Sequence, residues 1–161
     1  MTRRKAHPPS TYSMIDVLLA SQTEPMPAAK RVLQLTRMWQ GLASIERGQA
    51  PTIDDWRICS DAVNLMETLI CEMKVCQDSS GLLDDATAAL ASACRRHRDS
   101  KTIRLDASGI QAVRAVLEDY AELLEQLPAR TVIQAHRLTE QRIREILAGR
   151  KRPKDVEVMD L

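Results

Sequence analysis

"PTIDDWRICSDAVNLMETLICEMKVCQ", Pro51 to Gln77, decides the fold class. Within it Ile58, Cys59, Ala62, Val63, Leu65, Met66, Leu69, Ile70 and Met73 recur at spacings of three and four, the period that returns side chains to one face of an α-helix. At about 100° per residue these positions cover nearly half the circumference. That is wide for a surface helix, so this segment is expected to be the central and most buried one. Its start is also written in the sequence. Thr52 can cap the first turn, Asp55 three residues on makes an acidic relative of the capping box, and Asp54 and Asp55 complement the positive end of the helix dipole.

Working outward, the same period recurs on both sides. Pro27 suits a first helical position, where its missing N–H would have no partner anyway. From there to the terminator Gly48 the set Val32, Leu35, Met38, Trp39, Leu42 and Ile45 marks one face. Further upstream, "STYSMIDVLLASQ" predicts a short helix over Ser13–Ser21, closed off by the prolines of "TEPMP". Downstream, Leu82, Ala86, Ala89, Leu90 and Ala93 form a narrow small-residue face on a helix ending near Arg98, one that lets a neighbour approach closely. Asp106 caps a helix to about Gln126, with Val113, Val116, Leu117, Tyr120, Leu123, Leu124 and Leu127 inward. Pro128 opens a last helix to Ala148, with Val132, Ile133, Ile143, Ile146 and Leu147 inward and Gly149 as its cap. The link between these two is so short that they are expected to lie antiparallel. No strand-like alternation and no internal repeat is present. The expected fold is all-α: a single compact bundle of five to six amphipathic helices with short connections over residues 11–149. A basic arm expected to be disordered precedes it (1–10), and a charged tail follows (150–161).

Composition agrees. A chain of 161 residues buries roughly two thirds of its unfolded surface in one core. Phe is absent and Tyr12, Trp39, Trp56 and Tyr120 are the only aromatics, so Leu, Ile, Val, Ala and Met must fill that core. Five glycines leave little material for the tight turns of a sheet. The net charge of +1 gives no global field towards DNA or an acidic membrane. No apolar run reaches membrane-spanning length, and "MTRRKAHPPS" lacks the apolar core of a secretion signal. Cys59, Cys71, Cys76 and Cys94 contain no Cys-x-x-Cys pair and read as buried small apolar residues in a reducing cytoplasm, with a zinc or disulfide site as the alternative. No cofactor is implied.

Charge is local. The stretch "EILAGRKRPKD", Glu145 to Asp155, places Arg150, Lys151, Arg152 and Lys154 just after a helix end, with Arg137 and Arg144 on the polar face before it. Cations there favour the negative helix terminus, and capping plus solvation accounts for most of the pattern. The alternative is phosphate contact, since four to six cations on one end release counterions from nucleic acid; an acidic protein partner is the third reading. No Asn or Gln cluster, helix-turn-helix or aromatic platform accompanies the charge. A second knot, "CRRHRDSK", holds Arg95, Arg96, Arg98 and Lys101 at another helix end. There Cys94 and His97 supply only half of a tetrahedral metal site.

Other chemistry finds less support. His136 sits on the apolar side with Glu140 one turn on. Such a pair can act as base and orienter, but no nucleophile is placed beside it, and a core histidine is the simpler reading. Glu118, Glu122 and Glu125 share a face, as the magnesium ligands of a helical nucleotide-hydrolysing enzyme would. They point opposite to Val116, Tyr120 and Leu124, however, and such sites need acids converging from facing helices. Trp39 and Trp56 are expected to help pack adjacent helices; exposed, either would be a natural anchor for a partner.

Two stretches, "MWQGLASIERGQAPTIDDWRICSDAVNLMETL" (Met38–Leu69) and "VLEDYAELLEQLPARTVIQAHRLTEQRIREILAGRK" (Val116–Lys151), resemble uncharacterised small helical proteins encoded in bacteriophage and prophage regions of proteobacteria. The resemblance carries no functional residues. It implies a context: a small non-enzymatic phage protein in the cytoplasm of a bacterial host, acting by contact on a host protein or complex such as a defence or regulatory factor. The alternatives are a nucleic-acid-binding regulator using the basic helix end and tail, and the magnesium-dependent enzyme. Wide apolar faces on so small a bundle also suit a homodimer.

Overall fold

The computed structural model describes Ile15, Leu18 and residues 23–48, 50–99 and 102–149. Among them are five α-helices: α1 (Ala28–Arg47), α2 (Ile53–Glu67), α3 (Leu83–Arg98), α4 (Ala107–Gln126) and α5 (Ala129–Leu147). A π-helical turn, Thr68–Glu72, continues α2. Of the helix expected over Ser13–Ser21 only Ile15 and Leu18 are described; both are helical and exposed. The arm 1–10 and the tail 150–161 lie outside the described residues, apart from which the all-α bundle stands as the sequence predicts.

Helix α2 is central: α1, α3, α4 and α5 all pack against it. It contributes Cys59, Ala62, Val63, Leu65 and Met66 to the core. Helix α4 is buried as deeply, through Val113, Val116, Leu117, Tyr120 and Leu124 among others. The capping box at the start of α2 is formed, with the Asp55 N–H donating to Thr52 Oγ1 and the Thr52 N–H donating to Asp55 Oδ2. Ser44 Oγ donates to the same carboxylate at 2.8 Å, which ties the end of α1 to the start of α2. Burial alone would raise the Asp55 pKa. The hydrogen bonds from the Thr52 N–H and from the Ser44 and Thr52 hydroxyls outweigh it and hold the carboxyl below its usual value. Asp106 caps α4 through the Gly109 N–H at 2.7 Å, and Gly149 ends α5 in the left-handed region (φ 67°).

The small-residue face works as expected. Helices α3 and α4 make the most extensive pairing in the molecule, and a Cβ on Gly109 would stand 2.8 Å from Ala89 Cβ and 2.9 Å from Asp106 Oδ1. Gly109→Ala is therefore expected to destabilise. The gain of about 1 kcal/mol in helix propensity is exceeded by overpacking of about 1–3 kcal/mol. A lowered urea midpoint, with favourable coupling to Ala89→Gly in a double-mutant cycle, would show it.

Three expectations need correction. The helix through Pro51–Gln77 does not run to Gln77. The Met73 N–H bonds Thr68 O, five residues back instead of four, and Lys74 then takes a left-handed φ of 53° that costs an L-residue roughly 1 kcal/mol. Helix α5 does not pack along α4: its contacts fall on α2 and the π-helical turn instead. The reason is local. Leu127 and Pro128 are both extended (ψ 138° and 141°), and the Ala129 N–H is drawn onto Glu24 O ahead of α1. Finally, Val32 (62% exposed), Ile143 and Leu147 (53% exposed) do not face the core, because no described helix covers those parts of α1 and α5.

Candidate functional site

The two basic clusters stand apart. Trp56 Nε1, in the first turn of α2, donates to Leu90 O at 2.9 Å, and Arg104 donates to Gly48 O. The basic end of α3 thus lies near the start of α2. Arg95 and Arg98 are exposed there with His97. Arg96 is half-buried and donates to Arg104 O at 2.5 Å. Lys101 lies outside the described residues. At the other end of α2, Thr68 Oγ1 meets Thr139 Oγ1 of α5 at 2.6 Å. Trp56 and Thr68 are twelve positions apart, about 18 Å along a helix axis. Arg137 and Arg144 therefore belong to a different end of the molecule from Arg95 and Arg98. Both are exposed, and Arg144 pairs with Glu140 at 2.9 Å. Arg150, Lys151, Arg152 and Lys154 lie outside the described residues.

The outer half of α5 is the most unusual surface. Thr139 is its last buried residue. Beyond it Ile143 and Leu147, one turn apart on one face, are exposed, and Ile146 is half-buried. Arg142, between Thr139 and Ile143 in sequence, is turned inward. Half-buried, it donates to Glu67 Oε2 at 2.6 Å and Glu72 Oε1 at 3.1 Å. Nothing in the sequence signals this, because the two acids are five apart and some seventy residues away. Thr68 gives its own hydroxyl proton to Asn64 O at 3.0 Å, so in the Thr68–Thr139 pair Thr139 is the donor. Both hydroxyls are satisfied where water is excluded.

The remaining candidates are dispersed. Trp39 and Trp56 are half-buried against the core, and the Trp56 indole bonds α3 rather than α1. Glu118, Glu122 and Glu125 are exposed on α4, and no three of the described His, Cys, Asp and Glu residues group around a point that would suit a metal ion. His136 is half-buried on α5. Burial pushes its pKa down to about 4 against the opposing pull of Glu140, so the ring is neutral at pH 7. Cys59 and Cys94 are buried, as a small apolar reading requires, whereas Cys71 is exposed. Between α3 and α4 runs an open groove of about 470 Å³, carrying Asp85, Ser92, Arg96, Asp106, Ser108 and Gln111. It mixes both signs of charge without converging on one point. Among the described residues no helix is long and apolar enough to cross a membrane.

A scan against protein-family models found no matching family, and neither the curated proteins nor the solved structures gave a match.

Proposed function

We propose that this is a non-enzymatic interaction protein, phage-encoded, that binds a host protein or complex through the outer half of α5 and modulates it by contact. One observation carries the reading: Ile143 and Leu147 continue the apolar stripe of α5 past the last residue it buries, with Arg137 and Arg144 exposed on the polar face of the same helix. An amphipathic helix presenting anchors at i and i+4 fits an apolar groove, here one with an acidic rim. A host factor as the occupant goes with the phage origin proposed here for Met38–Leu69 and Val116–Lys151. A second reading, nucleic-acid binding, draws on the exposed Arg95, His97 and Arg98 at the end of α3.

Capture from bacterial lysate, with and without nuclease, separates the two. The double substitution Ile143→Asp with Leu147→Asp is expected to weaken protein capture about thirtyfold or more, since a lost anchor costs about 2 kcal/mol at an interface. The same change should leave stability within about 0.5 kcal/mol, as surface substitutions do. Capture of nucleic acid alone, falling steeply as salt rises, would replace the first reading by the second. Mass in solution reports whether the partner on α5 is a second copy.

A further inference from the structure

The π-helical turn is held from outside itself. In a regular α-helix positions five apart sit about 140° apart around the axis, on different faces. A π-turn takes one more residue to come round, which brings position 72 back towards the face of position 67. Glu67 and Glu72 are the residue before that turn and its last residue, and the single guanidinium of Arg142 bonds both. Thr139, one helical turn earlier on α5, donates to Thr68, the residue that opens the turn. The segment's own preference is different. Leu65, Met66, Leu69, Ile70 and Met73 keep the α-helical period, and the turn closes on Lys74 in the left-handed region (φ 53°), where glycine is the usual occupant.

We propose that residues 68–74 form a two-state element, its π register imposed by the Arg142 and Thr139 contacts of α5, which slips to α register when α5 lets go. In the slip the Met73 N–H exchanges Thr68 O for Leu69 O. The Val75 N–H gives up Leu69 O, which it now holds at 2.9 Å, and Lys74 returns to right-handed backbone. Glu72 then swings away from Glu67, so a single arginine no longer spans them. Clamp and α register are mutually exclusive. Arg142 immediately precedes Ile143, so a partner seated on Ile143 and Leu147 acts on the turn of α5 that carries the clamp. That coupling rests on the reading of α5 as a contact surface; the change of register does not.

The test needs no partner. Arg142→Gln removes both arms of the clamp, and Glu72→Gln, a milder variant, weakens one by taking its charge while leaving an acceptor. Cα chemical shifts and amide exchange of the full chain are read over residues 64–77. The expected result for Arg142→Gln is a shift at Lys74 from left-handed to helical values, with slower exchange at Lys74 by about tenfold; Glu72→Gln should give the same changes at smaller amplitude. Unchanged shifts in both variants would overturn the proposal. So would loss of protection across 68–77, which would show a turn that melts instead of one that changes register. If Arg142→Gln fails to fold, Glu72→Ala, which removes that acceptor outright, decides by the same readout. Failure of Ile143→Asp with Leu147→Asp to reduce protein capture would count against the contact surface and leave the register change standing.

Discussion

Tyr120→Ala is expected to cost about 3–5 kcal/mol, the range for deleting a large aromatic from a packed core. Tyr120 is 1% exposed and heads the largest fully buried side chains. It also joins two helices, because Gln34 Nε2 on α1 donates to its hydroxyl at 2.7 Å. A domain of this kind has a total stability of about 5–15 kcal/mol, so the alanine variant should sit close to unfolding at room temperature. Tyr120→Phe separates the two contributions. It keeps the ring and loses the hydrogen bond from Gln34, for about 1 kcal/mol. Urea unfolding of the pair checks this: a phenylalanine variant as weak as the alanine one would mean that the hydroxyl, not the ring, organises this part of the core.

Acid sensitivity should centre on His136. Its pKa in the folded protein is about 4, pushed down by burial from an ordinary 6.5 against the pull of Glu140. A histidine with a depressed folded pKa is protonated first in the unfolded chain. Its contribution is therefore complete above about pH 6.5, falls as the pH drops towards 4, and changes no further below that. Two and a half pH units correspond to about 3 kcal/mol at 1.36 kcal/mol each. His136→Leu is expected to flatten the stability profile between pH 6.5 and 4. The limb below, where Asp55 and Asp106 take up protons they resist in the folded state, should remain. Urea midpoints at half-unit steps of pH would show it; a profile unchanged by His136→Leu would place the acid transition elsewhere.

Both substitutions lie at positions whose surroundings the sequence conveys only in part. Tyr120 was legible as core, because its spacing from Val116, Leu117 and Leu124 leaves no other face for it. Its partner Gln34 was not, since a polar residue some ninety positions away has no local signature. His136 was legible as a core or boundary histidine from its place on the apolar side of α5, but how far burial depresses its pKa depends on which helix lies over it. The candidate site divides in the same way. Exposure of Arg95, Arg98, Arg137 and Arg144 follows from their places on polar faces and helix ends. That these two pairs occupy opposite ends of α2 follows only from how the helices are stacked.

Legible from sequence alone were features of short range: the all-α class, the central helix opening at Thr52, the caps at Thr52 and Asp106, the end at Gly149, and the close approach of α3 to α4 over small residues. Such features are set by side chains three or four positions apart, by a hydroxyl or carboxylate beside a free N–H, or by the volume of a single side chain. Long-range packing alone sets α5 against α2 and the π-turn instead of α4, turns Arg142 inward to Glu67 and Glu72, interrupts a good α-helical pattern with a π-turn, and leaves Ile143 and Leu147 outside. Each depends on which distant surface arrives opposite, and a period along one helix says which face is apolar without saying whether anything comes to cover it.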